Sequence, residues 1–91
     1  MIARRYFIDG DVQGVGFRYF VLRAVQSIGN IRGFVRNLRD GRVEVYAEGE
    51  ESEISKLESS LRTGPRHSTV SNVQILEEPP DADYPDFRIT S

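Results

Sequence analysis

The sequence contains no cysteine. That excludes disulfide scaffolds, Cys-ligated zinc, iron–sulfur clusters and thiol nucleophiles. It contains a single histidine, His67, so no His-pair metal site can form and a Ser-His-Asp triad would depend on that one imidazole. His67 lies in Gly64-Pro65-Arg66-His67-Ser68 and is expected on a surface loop. Long apolar runs are missing too: no stretch approaches the roughly 20 apolar residues of a membrane span. The basic start, Met1-Ile2-Ala3-Arg4-Arg5-Tyr6-Phe7-Ile8, lacks the apolar run and small-residue cleavage site of a signal peptide. Asn30, Asn37 and Asn72 are not followed by Ser or Thr at the second position, so no glycosylation acceptor exists. Nor is there an excess of positive charge. A net charge of −2 and a pI near 5.3 argue against a nucleic-acid partner. The expected setting is the cytoplasm, with no membrane association.

What is present is an ordinary globular balance: 91 residues, 38% hydrophobic and 29% charged. Residues 1–91 read as one domain, large enough to bury a single modest core.

The pattern predicts a strand over 3–9, ended by Gly10. A glycine-spaced loop, Gly10-Asp11-Val12-Gln13-Gly14-Val15-Gly16, follows. Phe17, Phe20, Val21, Ala24, Val25 and Ile28 then recur at helical spacing and predict a helix over 17–28, stopped by Gly29-Asn30. Residues 31–37 and 42–48 predict a hairpin around Asp40-Gly41. In its second strand Val43, Val45 and Ala47 face the core, and Glu44, Tyr46 and Glu48 face outward. A second helix is expected from Ser52 to about Leu61, with Ile54, Leu57 and Leu61 inward and Thr63-Gly64-Pro65 as its stop. A fourth strand over 69–77, a turn at Pro79-Pro80 and a short last strand at Phe87-Arg88-Ile89 complete the chain.

The order βαββαβ plus one strand predicts an α+β, ferredoxin-like two-layer sandwich, with an antiparallel sheet and two helices on one face. The fold hosts enzymes, RNA binders and metal carriers and assigns no function by itself.

The chemistry concentrates where the first strand meets the first helix. Glycines there let successive N–H groups point into one concavity, and the helix N-terminus adds unpaired donors and a partial positive charge. An anion such as phosphate suits that place, and Arg18 can add a bidentate clamp. A plain glycine-rich turn with a surface arginine has the same local sequence. Neither a Walker loop nor a dinucleotide fingerprint is present: Tyr19 stands where the last glycine of the latter belongs. Asn37, closing the second strand, is either a cap or turn-former or an amide that positions a water or a substrate oxygen. Arg36 and Arg39 beside it read as surface charge, and Glu50-Glu51 as helix-end charge.

The run Gly10-Asp11-Val12-Gln13-Gly14-Val15-Gly16-Phe17-Arg18 resembles the first signature of the acylphosphatase family, G-x-V-Q-G-V-x-F-R. Gly33-Phe34-Val35-Arg36-Asn37-x-x-x-Gly41-x-Val43-x-x-x-x-x-Gly49 resembles its second. The ending Tyr84-x-x-Phe87-x-Ile89 is family-like as well. The resemblance implies hydrolysis of acyl phosphates to a carboxylate and inorganic phosphate by direct attack of water, without metal or cofactor. It implies a phosphate site made of Gln13, Gly14, Val15, Gly16, Phe17 and Arg18, with Arg18 and Asn37 catalytic and Asn37 orienting the water. It further implies a small-molecule acyl phosphate as partner, inorganic phosphate as product and competitive inhibitor, and a monomer.

One position departs from the family pattern. Between Ile28 and Gly33 the chain carries one extra residue, Asn30, which must be absorbed in the turn if Asn37 is to keep its face. Two rivals share the fold. An RNA-recognition module would explain Arg32-Gly33-Phe34-Val35, but its motif belongs on the third strand, where Glu44 and Glu48 oppose a phosphate backbone. A non-catalytic phosphate- or carbamoyl-phosphate-binding module, as in hydrogenase-maturation proteins, is the other.

Overall fold

The computed structural model describes residues 1–81 and 83–90. Its elements run β1 (Ile2–Asp11), α1 (Phe17–Ile28), β2 (Arg32–Asn37), β3 (Val43–Gly49), α2 (Glu51–Thr63), β4 (Thr69–Glu78) and β5 (Phe87–Ile89). The five strands form one sheet in the order β4-β1-β3-β2-β5. Both helices lie on one face, as the two-layer sandwich requires.

The sheet is mixed rather than antiparallel. β1, β3, β2 and β4 pair antiparallel, but β5 runs parallel to β2. The reason is the connection. β4 and β5 occupy opposite edges, and β4 ends at the end of the sheet where β2 begins. The chain crosses there, so β5 must run in the same direction as β2.

β1 does not stop at Gly10. It continues to Asp11 across an irregularity in its pairing with β4 between Asp9 and Gly10. Gly10 has φ +132°, and a Cβ there would stand 2.0 Å from the Thr69 carbonyl oxygen. The glycine thus serves a bulge and a close strand approach instead of a termination.

The core lies between helices and sheet. Tyr6, Ile8, Val35, Val43, Val45 and Ala47 meet Phe17, Val21, Val25, Ile54, Leu57 and Leu61, all buried. Burial of one such Phe or Leu contributes about 1.5–3 kcal/mol. α1 ends where Gly29 N–H bonds to Val25 O at 2.8 Å and Asn30 takes φ 61°. The extra residue therefore sits in the turn, and β2 enters with Val35 opposite Val45 and Asn37 opposite Val43. Asn37 continues the core-facing row of Val35.

The outer face of β3 is not solvent-facing, contrary to its alternating pattern. Glu44, Tyr46 and Glu48 are buried. Arg5 and Arg36 both bond to the Glu44 carboxylate, Arg36 at 2.6 Å. Tyr46 Oη donates to Glu48 at 2.8 Å, and the Asp81 N–H donates to the same carboxylate. Tyr84 packs against both Tyr46 and Phe34, with ring centroids 5.2 and 5.9 Å away. Asp81 and Tyr84, from the crossing between β4 and β5, thus lie over this face as a strap, and paired carboxylates replace the exposed ones that alternation predicts. Phe34 and Tyr46 are stacked on each other and do not form an open aromatic platform.

Burial, with the neighbouring Glu48 carboxylate, pushes the Tyr46 phenol up to about 12. A raised phenol pKa favours the neutral form in the folded state. Its stabilisation is complete below the unfolded value near 10 and is lost as pH rises through the folded one. Denaturant midpoints should therefore fall between about pH 10 and 12, and less steeply in Tyr46→Phe. Equal slopes would show that Tyr46 does not titrate on unfolding.

Candidate active site

The loop between β1 and α1 alternates anchors and openings. Val12 and Phe17 are buried, and Val15 packs partly against the core. Between them Gly14 and Gly16 take φ +76° and +78°, and a Cβ at either would meet nothing within 4 Å. Apolar side chains pin the loop inward while the glycines turn the backbone toward open space. Side chains at these positive φ values would be strained.

α1 begins without a side-chain cap and without an acidic residue in its first turn. Its first helical bond runs from Phe20 N–H to Gly16 O at 3.0 Å. The N–H groups of Phe17, Arg18 and Tyr19 precede that ladder and carry the positive end of the helix. Arg18 is half-buried in this turn and has no ion pair among the described residues. By contrast Arg5 and Arg36 are neutralised by Glu44, and Arg42 by Asp40 at 2.8 Å. That pairing holds the Asp40 carboxyl below the usual carboxylate range.

Asn37 closes β2 at the same end of the sheet. Its Oδ1 is buried and has no hydrogen-bond partner among the described residues. A buried amide oxygen with neither a protein nor a water partner costs about 1–3 kcal/mol, so this atom calls for a partner from outside the chain, a water or a ligand group.

Gln13 joins the two parts. Its Nε2 donates to Leu38 O at 2.7 Å and to Arg42 O at 2.9 Å, the carbonyls that flank the β2–β3 turn. Its side chain therefore points to the hairpin, and only its backbone is available to the loop. Sequence reading placed Gln13 in the phosphate-binding run but carried no signal for these bonds. Of the remaining positions, Arg36 lies on the outer face with Glu44, while Arg39 and His67 are exposed, as their loop settings predict. Glu50 opens α2, where the Glu53 side chain accepts from its N–H at 3.3 Å. Among the described residues no three His, Asp or Glu side chains converge as a metal site, and no helix is long and apolar enough to cross a membrane. A cavity of about 830 Å³ opens at the opposite end of the molecule, between Leu22, Asn30, Arg32 and Phe87, away from this loop.

The loop and hairpin segments, residues 10–18 and 33–43, contain no Cys, His, Ser or Thr to receive a phosphoryl group. Of the carboxylates these segments do hold, Asp11 and Asp40, the second is paired with Arg42. With open N–H groups and Arg18 unpaired among the described residues, fold and site define the class as a ferredoxin-like sandwich with a loop suited to an oxyanion. The sequence matches the acylphosphatase family over residues 4–89. It is 46% identical over 87 residues to an acylphosphatase of Koribacter versatilis, covering 96% of this chain and 78% of that one. The fold superposes with TM-score 0.94 on the crystal structure of acylphosphatase from Bacillus subtilis, 35% identical, covering 100% of both chains. It also superposes with TM-score 0.85 on a part of full-length HypF, 32% identical, covering 99% of this chain and 12% of that one. The chain belongs to the acylphosphatase family, whose members hydrolyse acyl phosphates.

Proposed function

We propose that this chain cleaves acyl phosphates by direct in-line attack of water, with the phosphoryl group held by the 12–18 loop and Arg18 and the water oriented by Asn37. The observation that carries the reading is the buried, unpaired Asn37 Oδ1, at the sheet end where α1 presents its uncapped N-terminus.

An acyl phosphate leaves as a carboxylate of low pKa, so little acid catalysis is needed. What is needed is neutralisation of the equatorial oxygens and a fixed direction of attack. Loop N–H groups and the Arg18 guanidinium provide the first, and the Asn37 amide provides the second. The bond from the water oxygen to phosphorus forms as the bond from phosphorus to the acyl oxygen breaks. The electron pair leaves with the carboxylate, and the water's protons remain with inorganic phosphate. That product occupies the same cradle and acts as a competitive inhibitor. Nothing in this scheme calls for a second copy of the chain, and the reading is of a cytoplasmic monomer.

The test is release of phosphate from a synthetic aromatic acyl phosphate under steady-state conditions. Phosphate binding without turnover would make the chain a binding module instead. The mechanism also has a metal test. The residues of the scheme supply N–H donors, a guanidinium and a single amide, with no carboxylate among them to hold a hard cation. Prolonged chelation should leave kcat unchanged. Loss of activity to chelator, restored by Mg²⁺ or Zn²⁺, would overturn the mechanism.

A further inference from the structure

We infer that Gln13 is a positioning residue that sets Asn37 against the phosphate loop; the inference rests on the water-orienting reading of Asn37 given above. Gln13 belongs to the β1–α1 loop, whereas Leu38 and Arg42 belong to the hairpin whose first strand ends at Asn37. β1 pairs with the hairpin's second strand only as far as Ile8 opposite Val43, so among the described residues the loop beyond Asp11 is tied to the turn by the two bonds of Gln13 rather than by strand pairing.

Both oxygens that Gln13 meets are carbonyls, at 2.7 and 2.9 Å. Only the NH₂ end of the amide can satisfy two acceptors, which settles the orientation of the side chain. The same two residues close the turn on themselves: Leu38 N–H donates to Arg42 O at 2.8 Å. Gln13 therefore grips the closing pair of the hairpin at a point one residue beyond Asn37. The glycines at 14 and 16 make the following backbone adaptable, and the grip lies one residue before the first of them. A shift of the hairpin relative to the loop would move the amide of Asn37 with respect to the bound phosphoryl group. Ground-state binding, which depends on the loop and Arg18, would change little.

The chemistry requires a neutral double donor. Leucine has neither donor. Glutamate has the right reach, but its carboxylate opposes two carbonyl oxygens. That opposition raises its pKa, because the acid form alone can donate, and it can donate only once.

The experiment compares Gln13→Leu, Gln13→Glu, Asn37→Ala and the double variant Gln13→Leu/Asn37→Ala, with folding checked by circular dichroism. Gln13→Leu should lower kcat by about 10- to 100-fold, with KM and phosphate inhibition within about threefold of the parent. In the Asn37→Ala background the same substitution should cost no more than about threefold, since residues acting through one another are not additive. For Gln13→Glu, the ratio of its kcat to that of the parent should rise as pH falls below about 6, as the acid form regains one bond. A folding failure of the leucine variant leaves this pH profile as the deciding measurement. Full additivity of the two substitutions, an unchanged kcat in Gln13→Leu, or a flat ratio for Gln13→Glu would each overturn the positioning role. If Asn37→Ala itself keeps its turnover, the water-orienting reading fails first, and the inference falls with it.

Discussion

Arg18→Ala should abolish measurable turnover while leaving the fold intact, and should strongly weaken inhibition by inorganic phosphate. The guanidinium stands in the first turn of α1 with no acidic partner among the described residues, so its removal breaks no internal ion pair. Its charge is free for a ligand. In the transition state the equatorial oxygens share the developing charge, and a fork of two N–H donors meets two of them at once. Loss of one preorganised donor costs about a hundred- to a thousandfold in kcat, and Arg18 supplies both donors and charge. The expected decrease is therefore at least about a thousandfold. Lysine should rescue poorly, because an ammonium cannot reproduce the planar fork. Steady-state hydrolysis with phosphate inhibition measures both effects. Near-normal activity in a folded alanine variant would remove Arg18 from the site.

Asn37→Ala separates chemistry from binding. If its amide only directs the water, phosphate should still bind through the loop and Arg18. The expected loss falls on kcat, about a hundred- to a thousandfold, with KM and phosphate inhibition little changed. Because Oδ1 accepts no bond from another described residue, alanine breaks no internal hydrogen bond at that atom, and the variant should stay folded, as circular dichroism would show. Aspartate should not substitute, since its charge repels the phosphoryl oxygens and it lacks the donors of an amide. Loss of phosphate affinity with an unchanged turnover number would make Asn37 a ligand and require another guide for the water.

How far the sequence alone reached can be judged element by element. α1 was readable to the residue because its apolar spacing is strict and glycines flank it at 16 and 29. Arg18 and Asn37 were readable as chemical candidates because each occupies an element end, where side chains meet ligands. The direction of β5 was not readable. Three residues carry no orientation signal, and the parallel pairing follows from where the chain crosses the sheet. The burial of Glu44 and Glu48 was hidden for a related reason. Alternation states which face a residue occupies but not what covers that face: Arg5 and Asp81 are distant in sequence, and Arg36 is placed opposite Glu44 only by the hairpin's register. Gln13 was placed in the right loop, but its partners are backbone carbonyls, which every sequence has.

The inner position of β1, between β3 and β4, has a consequence for the birth of activity along the folding pathway. Its two neighbours are far away in the chain: Ala3 pairs with Glu48 on one side and with Glu78 on the other. Contacts of such separation close large loops before they are rewarded, which slows the rate-limiting step. β1 is also the strand that delivers Val12 and Gln13 to the hairpin. A chain in which only the local hairpin and helices have formed thus holds Asn37 but has nothing fixed in front of it. On the proposed mechanism, turnover therefore requires β1 to be seated between β3 and β4.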